Sequence, residues 1–395
     1  MKDNNRRETS LIRNQLKRTH YREHSSPLFL TSSFTFENAD QMADMFAGDL
    51  EGDIYSRYAN PNTAEFISKM CELEQTDEGF ATSSGMAAVW ASLAGVLNQG
   101  DHLLACRALF GSTHQILTLL LPRFGIEHTY VDPATPELWP KELRKNTKMI
   151  LLETPSNPGL QLVDLEKAGK FARENQLILN VDNCFSTPIL QSPIQFGADL
   201  ITHSGTKYID GQGRVLGGII LGRSELMEKI SFFCRHTGPA MSAFNAWLLS
   251  KSLETLPLRM ERHCTNAMAV AKFLEGHPSV ARVYYPHLES HPQFNLAKKQ
   301  MKMGGGVVSF EIKGGLVEGK RFLDKVQMCS LSANLGDSRS IVTHPASTTH
   351  SKLSVEERTA VGISEGLIRI SVGLEHIEDI RKDLDQSLNA PLANG

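Results

Sequence analysis

Short apolar runs alternate with amphipathic segments between residues 61 and 255. The runs have the length of buried strands, and the segments have the apolar spacing of helices. The predicted strands cover 102–106, 148–153, 177–182, 199–203 and 215–221, and the predicted helices cover 66–73, 86–97, 113–121 and 165–175. This alternation predicts an α/β fold in which helical crossovers connect the strands of a mainly parallel sheet.

The pattern differs on both sides of this region. Residues 1–60 are polar and weakly periodic, which predicts an extended arm or a set of loops. An arm of this length usually packs on another part of the structure, and a second subunit is a natural candidate. Towards the C-terminus, the predicted helices cover 266–274 and 377–388, and the predicted strands cover 304–312 and 367–372. We therefore expect an N-terminal arm (1–60), a large α/β domain (61–255) and a smaller α+β domain (256–395).

The composition is typical of a globular protein. The chain has 395 residues, of which 41% are hydrophobic and 22% charged, and its net charge of −3 favours neither nucleic acid nor an anionic membrane. It contains no apolar stretch of about 18 residues and no apolar core of a secretory signal near its N-terminus. Its six cysteines lack CxxC spacing, which favours reduced thiols. The sequence thus predicts a cytoplasmic protein.

Polar residues stand where the predicted strands end. Glu153 and Asp182 end two of them, and His203 precedes a Ser-Gly-Thr-Lys loop that closes with Lys207. Alone, an aspartate here is more often a helix cap, and a loop lysine is usually solvated. Together, however, Asp182 and Lys207 fit a pyridoxal 5′-phosphate (PLP) site, because that cofactor needs a lysine for covalent attachment and an acid that keeps its pyridine nitrogen protonated. Ligands of parallel sheets bind beyond these strand ends.

A phosphate site is predicted beside them. Ser83 and Ser84 open the alanine-rich helix, whose free backbone N–H groups and dipole favour an anion. Helix capping explains the two serines equally well and is compatible with phosphate binding. Other cofactors fit poorly. The sequence before Lys207 is not a Walker loop, and Gly211–Gly217 has the wrong spacing for a dinucleotide-binding motif. No histidine has a clear set of metal ligands near it in the sequence, so we expect no metal.

Six motifs occur in a recognisable order along the chain. They are Tyr55-Ser-Arg57-Tyr-Ala-Asn60-Pro, Ser83-Ser-Gly-Met86, Glu153-Thr-Pro-Ser-Asn157-Pro, Asp182-Asn, Ser204-Gly-Thr-Lys207-Tyr and Leu367-Ile-Arg369-Ile-Ser-Val-Gly-Leu-Glu375. From about residue 20 to 388, the sequence resembles the PLP-dependent enzymes of cysteine and methionine metabolism, the cystathionine synthase/lyase family. The resemblance implies fold type I of the PLP-dependent transferases, the aspartate aminotransferase-like fold, and PLP as cofactor.

The resemblance also implies a role for each matching residue. Lys207 would attach the cofactor and later move protons, while Asp182 would pair with the pyridine nitrogen. Four residues would hold the phosphate: Gly85, Met86, Ser204 and Thr206. Arg369 would bind the α-carboxylate of the substrate, with Asn157 close to substrate and cofactor.

The family further implies that active sites are shared between subunits. Tyr55 and Arg57 would reach the phosphate of the neighbouring subunit, which would give the N-terminal arm its purpose. The expected assembly is a homotetramer built as a dimer of dimers, and the expected ligands are small molecules.

Departures from the family pattern indicate the branch. Phe110 replaces a tyrosine that stacks on the cofactor in many relatives; its ring can still stack, but it has no hydroxyl for proton transfer. Gln115 replaces an arginine that some relatives direct at a distal carboxylate, and Ala333-Asn-Leu-Gly-Asp337 replaces Glu-Ser-Leu-Gly-Gly. With the stretch from Lys207 to Arg214, these variants are similar to the O-succinylhomoserine sulfhydrylases.

The predicted reaction is therefore γ-replacement, in which O-succinyl-L-homoserine and sulfide give L-homocysteine and succinate. Four alternatives stay open: a cystathionine γ-synthase, a γ-lyase acting on methionine or cystathionine, an O-acetylhomoserine sulfhydrylase, and a protein that keeps the cofactor without turnover. Arg214, Arg339 and His344 are candidates for the succinyl carboxylate, although surface or interface positions explain each of them equally well.

Overall fold

The computed structural model describes residues 6–348, 351, 358 and 362–389. The strands of its first sheet are β1 (Glu78–Thr82), β2 (His102–Cys106), β3 (Glu127–Val131), β4 (Thr147–Glu153), β5 (Ile178–Asp182), β6 (Leu200–Ser204) and β7 (Gly218–Gly222). The helices before and around this sheet are α1 (Arg7–Arg13), α2 (Ala39–Ala47), α3 (Pro61–Glu74), α4 (Gly85–Ala94), α5 (Gly111–Gln115), α6 (Leu165–Glu174), α7 (Thr187–Leu190), α8 (Ser224–Thr237) and α9 (Ala243–Leu253).

The first sheet is mainly parallel, as predicted. Its strand order is β1-β7-β6-β5-β4-β2-β3, and the strands from β6 to β3 all pair in parallel. Only β7 runs antiparallel, to both of its neighbours. The carboxyl ends of β4, β5 and β6 therefore meet at one edge of the sheet, which is where the polar strand-end residues were expected to converge.

In this region the prediction missed two strands and the helices α8 and α9, and it differs for part of one further helix. The sequences of β1 (EGFAT) and β3 (EHTYV) form the two edges of the sheet, and their polar residues interrupt the apolar run that marks a buried strand. The helix predicted at 113–121 begins earlier, as α5. It then continues as a π-helical turn (Ile116–Leu120) and a 3₁₀ turn (Leu121–Phe124) that includes Pro122, which has no backbone N–H for an α-helical bond.

Each face of the first sheet has its own hydrophobic core. One core packs α3 and α9 against side chains such as Val181 and Ile201, and the other packs α4 and α8 against side chains such as Leu151 and Leu200. Alternate residues of a strand point to the same face. Glu153, two residues after Leu151, therefore lies on the face covered by α4. Asp182 shares that face, because Asn180 donates from Nδ2 to Ser92 Oγ on α4 at 2.8 Å.

The second sheet belongs to the predicted α+β region. Its strands are β8 (Val280–Tyr284), β9 (Val307–Ile312), β10 (Ser330–Leu331), β11 (Ile341–Thr343) and β12 (Leu367–Ser371), and its helices are α10 (Leu256–Glu275), α11 (Phe294–Gln300), α12 (Gly315–Lys325) and α13 (Ile377–Asn389). The order is β10-β11-β12-β9-β8, with only β10 and β11 parallel. The central strand β12 carries Arg369 towards the first sheet.

The N-terminal sixty residues contain two helices, α1 and α2, that were not predicted. Leu11 of α1 is buried in the large-domain core, whereas α2 buries no residue within the chain. The predicted boundary near residue 255 falls between α9 and α10, and the division into an arm and two domains stays a prediction. None of the helices in the described part of the chain is long and apolar enough to cross a membrane.

Candidate active site

A cavity of about 250 Å³ lies between the carboxyl ends of β4, β5 and β6, the start of α4 and strand β12. Nine of the predicted site residues line it: Gly85, Met86, Phe110, Asn157, Asp182, Ser204, Thr206, Lys207 and Arg369. They come from sequence positions almost 300 residues apart, so the folding of both sheets is needed to bring them together.

Tyr55 and Arg57 lie outside this cavity. Arg57 lines a separate crevice, where its guanidinium donates to the carbonyl oxygen of Arg235 and lies 4.6 Å from the centre of the Tyr58 ring. Tyr55 is 39% exposed. A single chain therefore does not bring these two residues to Lys207. Their role at the phosphate of a neighbouring subunit stays a prediction.

The start of α4 has the form of an anion site. Ser84 caps the helix by accepting from the Ala87 N–H at 3.2 Å, and the first-turn N–H groups of a helix have no partner inside it. A Cβ added to Gly85 would lie 2.6 Å from Cβ of Ser204, so only glycine lets this helix approach the end of β6 so closely; the loop that holds Lys207 follows directly. Thr206 stands in the same loop, where its Oγ1 accepts from the Gly217 N–H at 3.2 Å.

Asp182 is placed to pair with a cation in the cavity. Its Oδ1 accepts from the Cys184 N–H at 3.0 Å, which orients the carboxyl group. Burial raises the pKa of Asp182, while the Cys184 N–H and the nearby His203 oppose that rise. A protonated pyridine nitrogen would compensate for the cost of a buried negative charge at this position.

Lys207 extends into the cavity from the loop after β6. Its Nζ donates to Oδ1 of Asn334 at 2.6 Å. Burial lowers the pKa of Lys207, and the positive charge of Arg369 lowers it further, although Cys184 acts in the opposite direction. A lysine with a lowered pKa is more often neutral and hence nucleophilic, which covalent attachment of a carbonyl cofactor requires.

Arg369 is buried, and one of its N–H donors has no hydrogen-bond partner in the described part of the chain. Its Nη1 donates to Asn157 Oδ1 at 3.0 Å, and its Nη2 donates to the carbonyl oxygen of Asn334 at 3.0 Å. Its Nε is buried and has no hydrogen-bond partner in the described part of the chain. Such a guanidinium, held rigidly and not neutralised by an acid, is well suited to bind a carboxylate of a substrate.

Sequence reasoning did not assign roles to two residues at this site. Asn334 contacts both Lys207 and Arg369, and the only signal for it was the unusual Ala333–Asp337 segment. Glu153 was noticed at a strand end but given no role, yet it lines the cavity beside Asp182. Gln115, one of the departures from the family pattern that are similar to the sulfhydrylases, does not line the cavity.

The three candidates for a succinyl carboxylate also lie outside the cavity. Arg214 donates from Nε to Asp210 at 3.0 Å, Arg339 donates from Nε to Asp337 at 2.8 Å, and His344 contacts the Glu365 carbonyl oxygen through Nε2 at 2.7 Å. These bonds give each side chain a structural role within its own chain. The described residues contain no group of three or more metal-binding side chains.

The set of groups fits PLP by its chemistry. The cavity offers an amine for covalent attachment, an acid for the pyridine nitrogen, a helix start with hydroxyls for the phosphate and the ring of Phe110 for stacking. A family model of the PLP-dependent enzymes of Cys/Met metabolism matches residues 8–389. The chain belongs to this family. The predicted family, fold class and cofactor are thereby confirmed.

Named relatives divide between two activities. An O-succinylhomoserine sulfhydrylase of Pseudomonas aeruginosa is 44% identical over 383 residues, covering 97% of this chain and 95% of the relative. An L-methionine gamma-lyase of Fusobacterium nucleatum is also 44% identical, over 365 residues and 92% of both chains.

Solved structures agree with the fold and the cofactor. A candidate O-acetylhomoserine (thiol)-lyase from Campylobacter jejuni, which carries pyridoxyl monophosphate on a lysine, has a TM-score of 0.93 and 34% identity; the match covers 97% of this chain and all of that one. The protein is thus an enzyme of the PLP-dependent Cys/Met metabolism family.

Proposed function

We propose that the protein catalyses γ-replacement, converting O-succinyl-L-homoserine and hydrogen sulfide to L-homocysteine and succinate. The observation that carries the proposal is Phe110, which lines the cavity where many relatives have a tyrosine. The similarity to the Pseudomonas sulfhydrylase supports it. The equally similar methionine gamma-lyase makes elimination the second candidate.

The residues of this chain can perform the steps of that reaction. Arg369 would bind the α-carboxylate, and its bond to Asn157 would fix the orientation of the guanidinium. Bound PLP supplies an electron sink for the α-carbon of the substrate. Nζ of Lys207 would take the proton from the α-carbon, release that proton, and then take the proton from the β-carbon, so that succinate leaves from the γ-carbon. Sulfide would add at that carbon, and Lys207 would return the protons.

Phe110 restricts the choice of base. Among the cavity-lining residues of the described chain, only Lys207 and Arg369 have a basic nitrogen. The guanidinium of Arg369 is always protonated, so Lys207 provides the only amine that can accept a proton. The thiol of Cys184 is a poor base at neutral pH, because burial raises its pKa to about 12. Since residue 110 offers no phenol, we assign both proton transfers to Lys207, and an elimination that relies on a tyrosine hydroxyl is disfavoured.

We also propose that the active unit contains at least two chains. Tyr55 and Arg57 lie outside the cavity of their own chain, and the structure, over the residues it describes, buries no residue of α2. Both facts support the expected sharing of sites in a dimer, with a tetramer of two dimers as the full assembly.

A competition assay tests the reaction. Purified holoenzyme would receive O-succinyl-L-homoserine with sulfide and cysteine at equal concentration, and in parallel O-acetyl-L-homoserine or methionine. Homocysteine as the main product supports the proposal. Cystathionine would identify a cystathionine γ-synthase, and a preference for the acetyl ester would identify the other sulfhydrylase branch. Release of 2-oxobutyrate from methionine at a comparable rate would overturn the proposal in favour of the lyase.

A further inference from the structure

Glu153 and Asp182 form a pair of carboxyl groups at the edge of the first sheet. They are register partners on the parallel strands β4 and β5, which places their backbones about 4.8 Å apart, and both side chains lie on the face covered by α4. Glu153 is only 6% exposed, and both residues line the cavity. Two carboxylates so close together in a buried site cannot both ionise without a strong penalty.

The cations around this pair do not offset two negative charges. Nζ of Lys207 is bonded to Asn334, and the guanidinium of Arg369 is bonded to Asn157 and Asn334. His203 lies on the opposite face of β6, where it contacts Glu74, and Cys184 carries a neutral thiol. In the described part of the chain, neither Glu153 nor Asp182 has a cationic nitrogen within ion-pair distance. A protonated pyridine nitrogen would neutralise a single carboxylate.

Burial and the expected position of the cofactor assign the charge to one of the two acids. Asp182 is oriented by the Cys184 N–H and is the residue predicted to pair with the pyridine nitrogen. Oε2 of Glu153 accepts from the Phe110 N–H at 2.7 Å, and the backbone N–H of Asn157 interacts with the same carboxyl group. Both N–H groups lower the pKa of Glu153, but burial and the charge of Asp182 outweigh them and raise this pKa well above its ordinary value.

The contacts of Glu153 join two opposite walls of the cavity. Phe110 precedes α5 and supplies the aromatic ring, whereas Asn157 follows β4 and holds the guanidinium of Arg369. One carboxyl group thus connects the backbone of the residue that covers the cofactor to the backbone of a residue that orients the substrate-binding arginine.

We propose that Glu153 is a positioning residue that remains a neutral acid in the holoenzyme, holding the backbones of Phe110 and Asn157 while Asp182 carries the single negative charge of the pair. This role concerns cofactor and amino-acid binding, and it does not depend on whether sulfide is the acceptor in the proposed reaction.

Glu153→Gln tests the charge of the residue. A glutamine is neutral and keeps an oxygen that can accept both N–H bonds. We expect the dissociation constant for PLP, and the pH at which the absorbance of the bound cofactor changes, to stay close to wild type. If Glu153 were ionised, the same substitution would remove a negative charge beside the cofactor. Cofactor binding about tenfold weaker with a pH midpoint about one unit lower would then overturn the proposal.

Glu153→Leu tests the positioning role. Loss of both acceptors leaves the two N–H groups unpaired, so we expect PLP binding to weaken about tenfold and the KM for the amino acid substrate to rise. Unchanged values would overturn the proposal. Asp199→Asn is the matched control, because Oδ2 of Asp199 accepts from the Leu179 N–H at 2.8 Å at the opposite end of β5. It should change stability but leave PLP binding and the absorbance midpoint unaltered.

Infrared difference spectroscopy provides a direct measurement that does not depend on the folding of the leucine variant. Wild-type holoenzyme should show the C=O stretch of a protonated carboxylic acid at neutral pH, and Glu153→Gln should lack it. Absence of that band from the wild-type spectrum would overturn the proposal. Because neither cofactor binding nor this spectrum involves sulfide, failure here is distinguishable from failure of the sulfhydrylase assignment.

Discussion

Nζ of Lys207 lies 2.6 Å from Oδ1 of Asn334. This bond connects the loop after β6 of the first sheet to the segment between β10 and β11 of the second sheet. Because the carbonyl oxygen of Asn334 also accepts from Arg369, one residue links the proposed proton-transfer group to the proposed carboxylate-binding group. The relative position of the two sheets therefore determines how the amine and the guanidinium face a substrate.

Replacing Asn334 by alanine should reduce kcat about tenfold, because the amine of Lys207 would lose the acceptor that orients it. The KM should change less, since the Asn334–Arg369 bond uses the backbone carbonyl. Steady-state kinetics of Asn334→Ala and Asn334→Ser check this, with serine expected to recover part of the rate. A purely structural role for Asn334 would instead lower thermal stability while kcat stayed at the wild-type value.

Replacing Lys207 by alanine should abolish turnover and covalent attachment of the cofactor. The physical reason is that, among the cavity-lining residues of the described chain, only Lys207 has a primary amine. Mass spectrometry after borohydride reduction would show whether the cofactor remains linked to the protein. Substantial activity in this variant would contradict the assignment of the base.

Arg369→Lys should raise the KM for the amino acid substrate by about tenfold or more while the cofactor spectrum stays unchanged. Lysine keeps the charge but loses the planar, bidentate set of donors that suits a carboxylate. Arg339→Lys is a matched control, because that arginine forms an exposed ion pair with Asp337 outside the cavity. Equal effects of the two substitutions would argue against carboxylate binding by Arg369.

Gly85→Ala should weaken PLP binding by about tenfold. A Cβ at this position would lie 2.6 Å from Ser204 Cβ, so α4 or the end of β6 must move, and an anion held by both would lose contacts. Gly111→Ala is the control, since Gly111 begins α5 as Gly85 begins α4 but has no atom within 4 Å of the added carbon. Titration of the apoenzyme with PLP measures both variants. A wild-type affinity of Gly85→Ala for PLP would contradict the prediction that the start of α4 binds the phosphate.

Mixtures of Arg57→Ala and Lys207→Ala subunits test the shared site. If Arg57 serves the neighbouring subunit, each mixed dimer contains one intact site, and random mixing restores about a quarter of wild-type activity. If Arg57 served its own chain, every site in the mixture would carry one defect. Activity no greater than that of the separate variants would therefore contradict the proposed dimer.

Stability should fall as the pH is lowered through the range of two buried histidines. Burial lowers the pKa of His102 and of His263 to about 4, whereas a histidine in an unfolded chain titrates near 6.5. Between these values the unfolded state binds protons that the folded state does not, so the free energy of unfolding decreases with decreasing pH, by about 2 kcal/mol per histidine from pH 7 to pH 5. Stability above pH 7 should be unaffected by this effect.

Denaturant unfolding of the wild type and of His102→Gln at both pH values measures the contribution of that residue. Both ring nitrogens of His102 contact threonine hydroxyls, Thr147 at 2.8 Å and Thr129 at 2.9 Å, and glutamine can preserve part of this bonding. The variant should be less stable than wild type at pH 7 but should lose less stability on acidification. An identical pH dependence would show that His102 titrates normally.

The family, the fold class, the cofactor and half of the cavity-lining residues were predictable from the sequence. Buried parallel strands such as β4 and β5 are continuous apolar runs, and their ends are marked by Glu153 and Asp182, so local pattern alone places acids at one edge of the sheet. Edge strands such as β3 were missed, because one polar face removes the apolar run that identifies a strand.

The tertiary structure alone decided which polar groups are available to a substrate. Arg214, Arg339 and Arg369 look alike as arginines in a sequence. Only the folded chain shows that Asp210 and Asp337 neutralise the first two, while Arg369 is bonded to neutral oxygens. The bond of Asn334 to Lys207 joins residues 127 positions apart, and the pairing of Glu153 with Asp182 depends on strand register. Sequence periodicity reflects the burial of each segment, whereas such partnerships arise only when distant segments pack against one another.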